Sequence, residues 1–235
     1  MQINLIRCYR GDGASSFFLS SRHKDSGEAV DNDFAEKLKG WTLPHALHQE
    51  DDTVEYELDA TADDSLASAA AAAARAWNYP GAALMFCKDP DSDEFKYDVK
   101  KCSGKNTDQY ILDVKKVPGK DDCWDTIACA PIYSSTHPYI DRMTVKIEGP
   151  PFLNGTEYAW TNDESKVGML VPGNPGVHYL YLTGTVTHEF GHTGGLWHSR
   201  VDGDLMGPLV IENKVAIPRK MTKNDRNAME ANYQD

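Results

Sequence analysis

No apolar run in this chain approaches the roughly 20 residues that span a bilayer, so a membrane-spanning role is not expected. The amino terminus, MQINLIRCYRGDG, also lacks the long apolar stretch of a secretion signal; either a signal has been removed or none existed. Positive charge is short as well, with 24 Lys and Arg against 36 Asp and Glu and a formal net charge of -12. Nucleic acid and anionic membrane surfaces require a basic patch, so neither is an expected partner. Cysteine is sparse: the five copies are Cys8, Cys87, Cys102, Cys123 and Cys129, and none follows Cys129. All five lie upstream of the histidines at 188–198, so none belongs to a local CxxC zinc knuckle there.

What the cysteines can do is close loops. Pairing Cys87 with Cys102 and Cys123 with Cys129 staples two short polar segments and leaves Cys8 over, which points to an oxidising compartment. The sequon Asn154-Gly155-Thr156 agrees with secretion. A chain of 235 residues builds one full core plus an extension, and a monomer is the expected state. Residues 1–50 are polar, without sustained periodicity, and are read as an extension; residues 51–235 form the domain.

Within the domain, Thr53-Val54-Glu55-Tyr56-Glu57-Leu58 alternates apolar and polar residues, as a half-buried strand does. Asp63 or Asp64 can cap a helix that the alanine run Ala69–Ala74 carries to Trp77. Pro80-Gly81 turns the chain into a short strand over 82–86, and two more strands are expected at 110–114 and 143–147. A helix follows over 183–194, a turn over 203–208 and a closing helix over 222–233 with Met229 facing inward. Strands and a helix first, then helices, predict an α+β domain. Asp89, Asp91 and Asp93 have the alternation of a calcium loop, but Glu94 and Lys100 stand where glycine and glutamate are required. A solvated acidic turn is the reading, with Ca2+ kept as a second candidate ion.

The chemistry lies in HEFGHTGGLWHS, residues 188–199. Helical residues four apart share a face, so His188 and His192 can offer nitrogens to one Zn2+, with Glu189 beside them. Gly195, having no Cβ, can take a left-handed conformation that ends the helix and returns His198 to the ion. Three protein ligands leave the fourth position for water, as in a catalytic zinc site. Zinc lowers the pKa of that water from about 16 to near 7, and Glu189 is placed to act as its base.

These residues resemble the metzincin clan of zinc endopeptidases, and within it most closely the matrixins. HEFGHTGGLWHS is similar to the matrixin zinc motif, including the serine after the third histidine. Asp204-Leu205-Met206-Gly207-Pro208 resembles the Met-turn, which implies that Met206 forms an apolar floor beneath the imidazoles. Met221-Thr222-Lys223-Asn224-Asp225, with Met229 and Tyr233, resembles the family's closing helix, and the segment from Ala73 to Phe86 its first helix and second strand. The resemblance implies a metzincin-type catalytic domain with a twisted, mostly parallel sheet, an antiparallel edge strand, an active-site helix, a Met-turn and a carboxyl-terminal helix.

The implied activity is peptide-bond hydrolysis by a zinc-bound water that Glu189 activates, with a protein or peptide substrate. By the same resemblance, the segment from Gly207 to Lys220 shapes the specificity pocket, where Leu209, Val210, Ile211 and Val215 are candidate lining residues. Pro208 stands where related families place a tyrosine ligand, so no fifth protein ligand is implied. No His-x-Asp pair in the middle of the chain marks a second zinc site; His137, Asp141 and His178 are loose candidates for which surface placement is expected.

Near the amino terminus, Arg7-Cys8 is similar to the arginine–cysteine pair of matrixin propeptides, and Tyr9-Arg10-Gly11-Asp12 to the aspartate segment of astacin propeptides. A latent form held by Cys8 or Asp12 is therefore one alternative. An interaction protein retaining zinc only for structure is another, though Glu189 has no use in a closed site.

Overall fold

The alternation at Val54 and Tyr56 places both side chains, at 0% and 1% exposure, in the core and makes β1 (Thr53–Leu58) an inner strand. The computed structural model describes residues 53–82, 84–88, 112–118, 127–130, 132–133, 142–149, 158–199, 201, 203–207, 211–212, 215–216 and 220–233. Residues 1–50, the aspartates at 89–93, Cys8, Cys102, Cys123, His137, Asp141 and the sequon lie outside them.

After β1, Asp63 caps α1 (Asp64–Trp77) by accepting the amide of Leu66 at 2.9 Å. The alanines present a smooth buried face at Ala69, Ala70, Ala71, Ala73 and Ala74, which lets another helix approach closely. β2 (Met85–Lys88) begins later than the apolar run suggests. Asn78 explains the delay: its side chain donates to the carbonyl of Phe86 at 2.6 Å and accepts its amide at 2.7 Å. The turn closed by Ala82 N–H on Tyr79 O uses up the residues between. β3 (Leu112–Pro118) runs beyond the expected strand, because its ladder continues past the polar pair Lys115-Lys116 to Pro118.

β4 (Ala128–Cys129), β5 (Ile132–Tyr133) and β6 (Arg142–Gly149) complete the main sheet. Its order is β2-β1-β3-β6-β4, with β5 also paired to β6. β2, β1, β3 and β6 are parallel, whereas β4 and β5 run antiparallel to β6 along one edge. This is the expected α+β arrangement: a mostly parallel sheet with an antiparallel edge. β7 (Tyr158–Thr161) and β8 (His178–Tyr181) form a separate parallel pair that delivers the chain to α2 (Leu182–Thr193).

α2 packs on α1. Its Phe190 lies 5.6 Å from the ring of Tyr56 and 5.1 Å from that of Phe86, which fixes the helix over β1 and β2. Trp77 ties the helices together by donating its indole N–H to the carbonyl of Thr187 at 2.9 Å. A small antiparallel pair, β9 (Ile211–Glu212) and β10 (Val215–Ala216), precedes α3 (Lys223–Tyr233), where Met229 is buried as expected. No helix among the described residues is long and apolar enough to cross a membrane.

Candidate active site

Helical spacing puts His188 and His192 on one buried face of α2, at 0% and 1% exposure, with ring centroids 4.7 Å apart. α2 ends where the sequence predicts a break. Gly195 has φ of +82°, and the amides of Gly195 and Leu196 close on the carbonyls of His192 and Gly191 at 2.9 and 3.1 Å. The reversed chain brings the ring of His198 to 5.3 Å from that of His188 and 4.8 Å from that of His192. One potential ligand atom from each of the three lies within 4.8 Å of the others, so the three form a group that could hold a metal ion.

The ring orientations favour a cation. His188 Nδ1 lies 2.7 Å from the carbonyl oxygen of Leu205, and His192 Nδ1 lies 2.7 Å from that of Leu196. A carbonyl only accepts, so both Nδ1 atoms carry hydrogen and each neutral ring directs a bare Nε2 inward. Those two Nε2 atoms are 3.0 Å apart. Two bare nitrogens repel at that distance unless they share a proton or a metal ion, and ligands about 2.0–2.1 Å from a tetrahedral zinc have a similar separation.

Glu189 is fully buried, and neither carboxylate oxygen has a hydrogen-bond partner among the described residues. Such a group is expensive unless something else occupies its site, and water activated by a metal suits it. Burial pushes its pKa up to about 8. Burial also pulls His192 down to about 3, helped by the neighbouring His188 and opposed by the Leu196 carbonyl. The donor set and the buried acid both fit zinc.

Behind the cluster, Met206 is fully buried, and a Cβ added to Gly191 would collide with its sulfur and lie 2.8 Å from Trp77 Cζ2. Gly191 is therefore required by close approach. The backbone of the turn at Leu205-Met206 is held by Asp225, which accepts the amides of Leu205 and Met206, each at 3.0 Å, and that of Thr222 at 2.7 Å. Burial raises the pKa of Asp225, while these amides lower it. Asp204 accepts from Ser199 Oγ at 2.5 Å, Asn224 Nδ2 at 2.6 Å and Thr222 Oγ1 at 2.7 Å.

Sequence reasoning missed Asp204 and Asp225. An available signal was their placement, one just before Leu205-Met206 and the other in the first turn of α3. His178 is not brought to the cluster: it sits on β8, half-buried, with Nδ1 2.8 Å from the carbonyl of Gly168. Of the pocket candidates, Ile211 falls in β9 and Val215 in β10, while Leu209 and Val210 lie outside the described residues.

A structural zinc site closes its tetrahedron with four protein ligands; three histidines beside a buried acid instead match the donor set of an open, catalytic site. The family model described as Matrixin matches residues 18–234, and the chain belongs to that family. It is thus a zinc metalloendopeptidase of the metzincin clan, acting on protein or peptide substrates. Among curated proteins, none matches the sequence significantly.

Proposed function

We propose that Glu189 is the general base of peptide hydrolysis at a catalytic zinc held by His188, His192 and His198. The observation that carries this reading is the fully buried Glu189 carboxylate, without a hydrogen-bond partner among the described residues, next to the histidine cluster in sequence. When bound, zinc supplies Lewis acidity that acidifies water and polarises a carbonyl. The Leu205 and Leu196 carbonyls hold two imidazoles in the ligating tautomer. Glu189 takes the proton of the attacking water and passes it to the leaving amine. Met206 supports the rings sterically and moves no proton.

A peptide lies extended along the antiparallel edge at β4 and β5, where backbone hydrogen bonds give affinity. Leu209, Val210, Ile211 and Val215 shape the pocket that selects its side chains. Glu189→Gln tests the assignment. The variant keeps one zinc per chain and loses cleavage of a peptide library by about 10²–10⁴-fold, the usual reach of general-base catalysis. Undiminished cleavage removes Glu189 from the mechanism.

The finer assignments are secretion, paired cysteines and latency. Cys87 and Cys129 are buried. They stand on β2 and β4, the two ends of the main sheet order, roughly 19 Å apart at the usual strand spacing. That separation is too great for a disulfide between the two, which supports separate partners for them, as in Cys87–Cys102 and Cys123–Cys129. Non-reducing peptide mapping tests both bonds. Latency through Cys8 or Asp12 rests on sequence pattern alone; removal of residues 1–50 raises peptide cleavage if it holds, and leaves cleavage unchanged if it does not.

A further inference from the structure

We propose that Asp204 is a positioning residue for His198, the one histidine of the cluster that no helix holds. His188 and His192 take their places from α2. His198 lies beyond the Gly195 turn, in a stretch without regular structure, so its position depends on how that stretch is anchored at each end. The near end is fixed by the amide of Leu196 on the Gly191 carbonyl and by His192 Nδ1 on the Leu196 carbonyl. The far end is fixed at Ser199, the next residue after His198.

Two bonds hold Ser199. Its amide donates to the Met206 carbonyl at 2.8 Å, and its hydroxyl donates to Asp204 Oδ2 at 2.5 Å. The same hydroxyl accepts the amide of Val201 at 3.0 Å, which shapes the loop beyond. Asp204 is 3% exposed, and a carboxylate so buried must be satisfied by donors. It takes them from two places at once: Ser199 on the histidine segment, and Thr222 and Asn224 at the start of α3. Through Asp204 the residue following His198 is clamped to the closing helix. Asp225 holds a different part, the Leu205-Met206 backbone on which His188 rests.

This inference rests on the zinc reading of the three histidines, and the test separates the two. Zinc affinity is measured on the full chain by competition with a chromogenic chelator, and the stability of the metal-free protein by urea unfolding. Asp204→Ala weakens zinc binding by about 10–100-fold, the usual loss when a ligand's supporting contact is removed. Ser199→Ala, a smaller excision that serves if Asp204→Ala does not fold, weakens it in the same direction, and the double variant is no weaker than Asp204→Ala alone.

In a His198→Ala background the Asp204→Ala effect falls below about twofold, whereas in a His188→Ala background it persists. Equal weakening in both backgrounds, or unchanged zinc affinity with lowered urea stability alone, overturns the inference. If the unaltered chain binds no zinc, the metal-site reading itself fails and takes this one with it.

Discussion

Asp225 Oδ1 accepts the amide of Met206 at 3.0 Å, binding the first turn of α3 to the turn behind the histidine cluster. Its other oxygen accepts the amides of Leu205 and Thr222. Removing the carboxylate strands three backbone donors, two of them beneath the residue whose carbonyl orients His188. Asp225→Ala is expected to cost about 3 kcal/mol or more of unfolding free energy in urea, since each buried unsatisfied group costs about 1–3 kcal/mol. Asp225→Asn, which keeps one acceptor oxygen, costs less. A loss under about 1 kcal/mol for the alanine variant would contradict the network.

Gly191 is required because Met206 and Trp77 occupy the space a side chain would need. Gly191→Ala is expected to destabilise by about 1–3 kcal/mol through overpacking. Gly149→Ala is the control: its Cβ would meet only the carbonyl of Val117 at 3.6 Å, an ordinary contact. Thermal melts of the two variants should differ, with Gly149→Ala close to the unaltered protein. Equal melting temperatures would show that α2 does not sit as closely on the turn as described.

Glu189 makes the metal-free protein sensitive to alkali. Its folded pKa of about 8 lies above the ordinary 4.5, so the folded state binds the proton more tightly than the unfolded chain. The stabilisation is complete below about pH 4.5 and is lost as pH rises through 8. Glu189→Gln removes this dependence. The stability of the variant minus that of the unaltered protein, both stripped of metal, should increase from pH 5 to pH 8 in urea titrations. His192 works in the opposite sense: its lowered pKa costs stability as pH falls below 6.5 toward 3. Taking the difference between the two proteins cancels that term, and a flat difference across the range would refute the burial of Glu189.

Local patterns made much of the fold legible in the sequence. β1 and α1 fall on the expected residues because alternation, an aspartate cap and an alanine run each act within a few positions. β2 is displaced because Asn78 reaches eight residues along the chain to Phe86. β7 and β8 were missed: each is four residues long, and their pairing joins segments about 20 residues apart.

The site divides in the same way. The three histidines and Glu189 are spaced by a helix and a glycine turn, both local features. Asp225 bonds to Leu205 across 20 positions, and Asp204 to Asn224 across the same span, so their roles arise only when the chain folds.

The most direct test of the central claim is the position of zinc in crystals of the loaded protein, found by anomalous scattering at the zinc edge. The account predicts one peak about 2.0–2.1 Å from Nε2 of His188, Nε2 of His192 and a ring nitrogen of His198, with Glu189 not bonded to the metal. A peak on the Nδ1 atoms, a Glu189 oxygen as ligand, or zinc bound away from these histidines would contradict it.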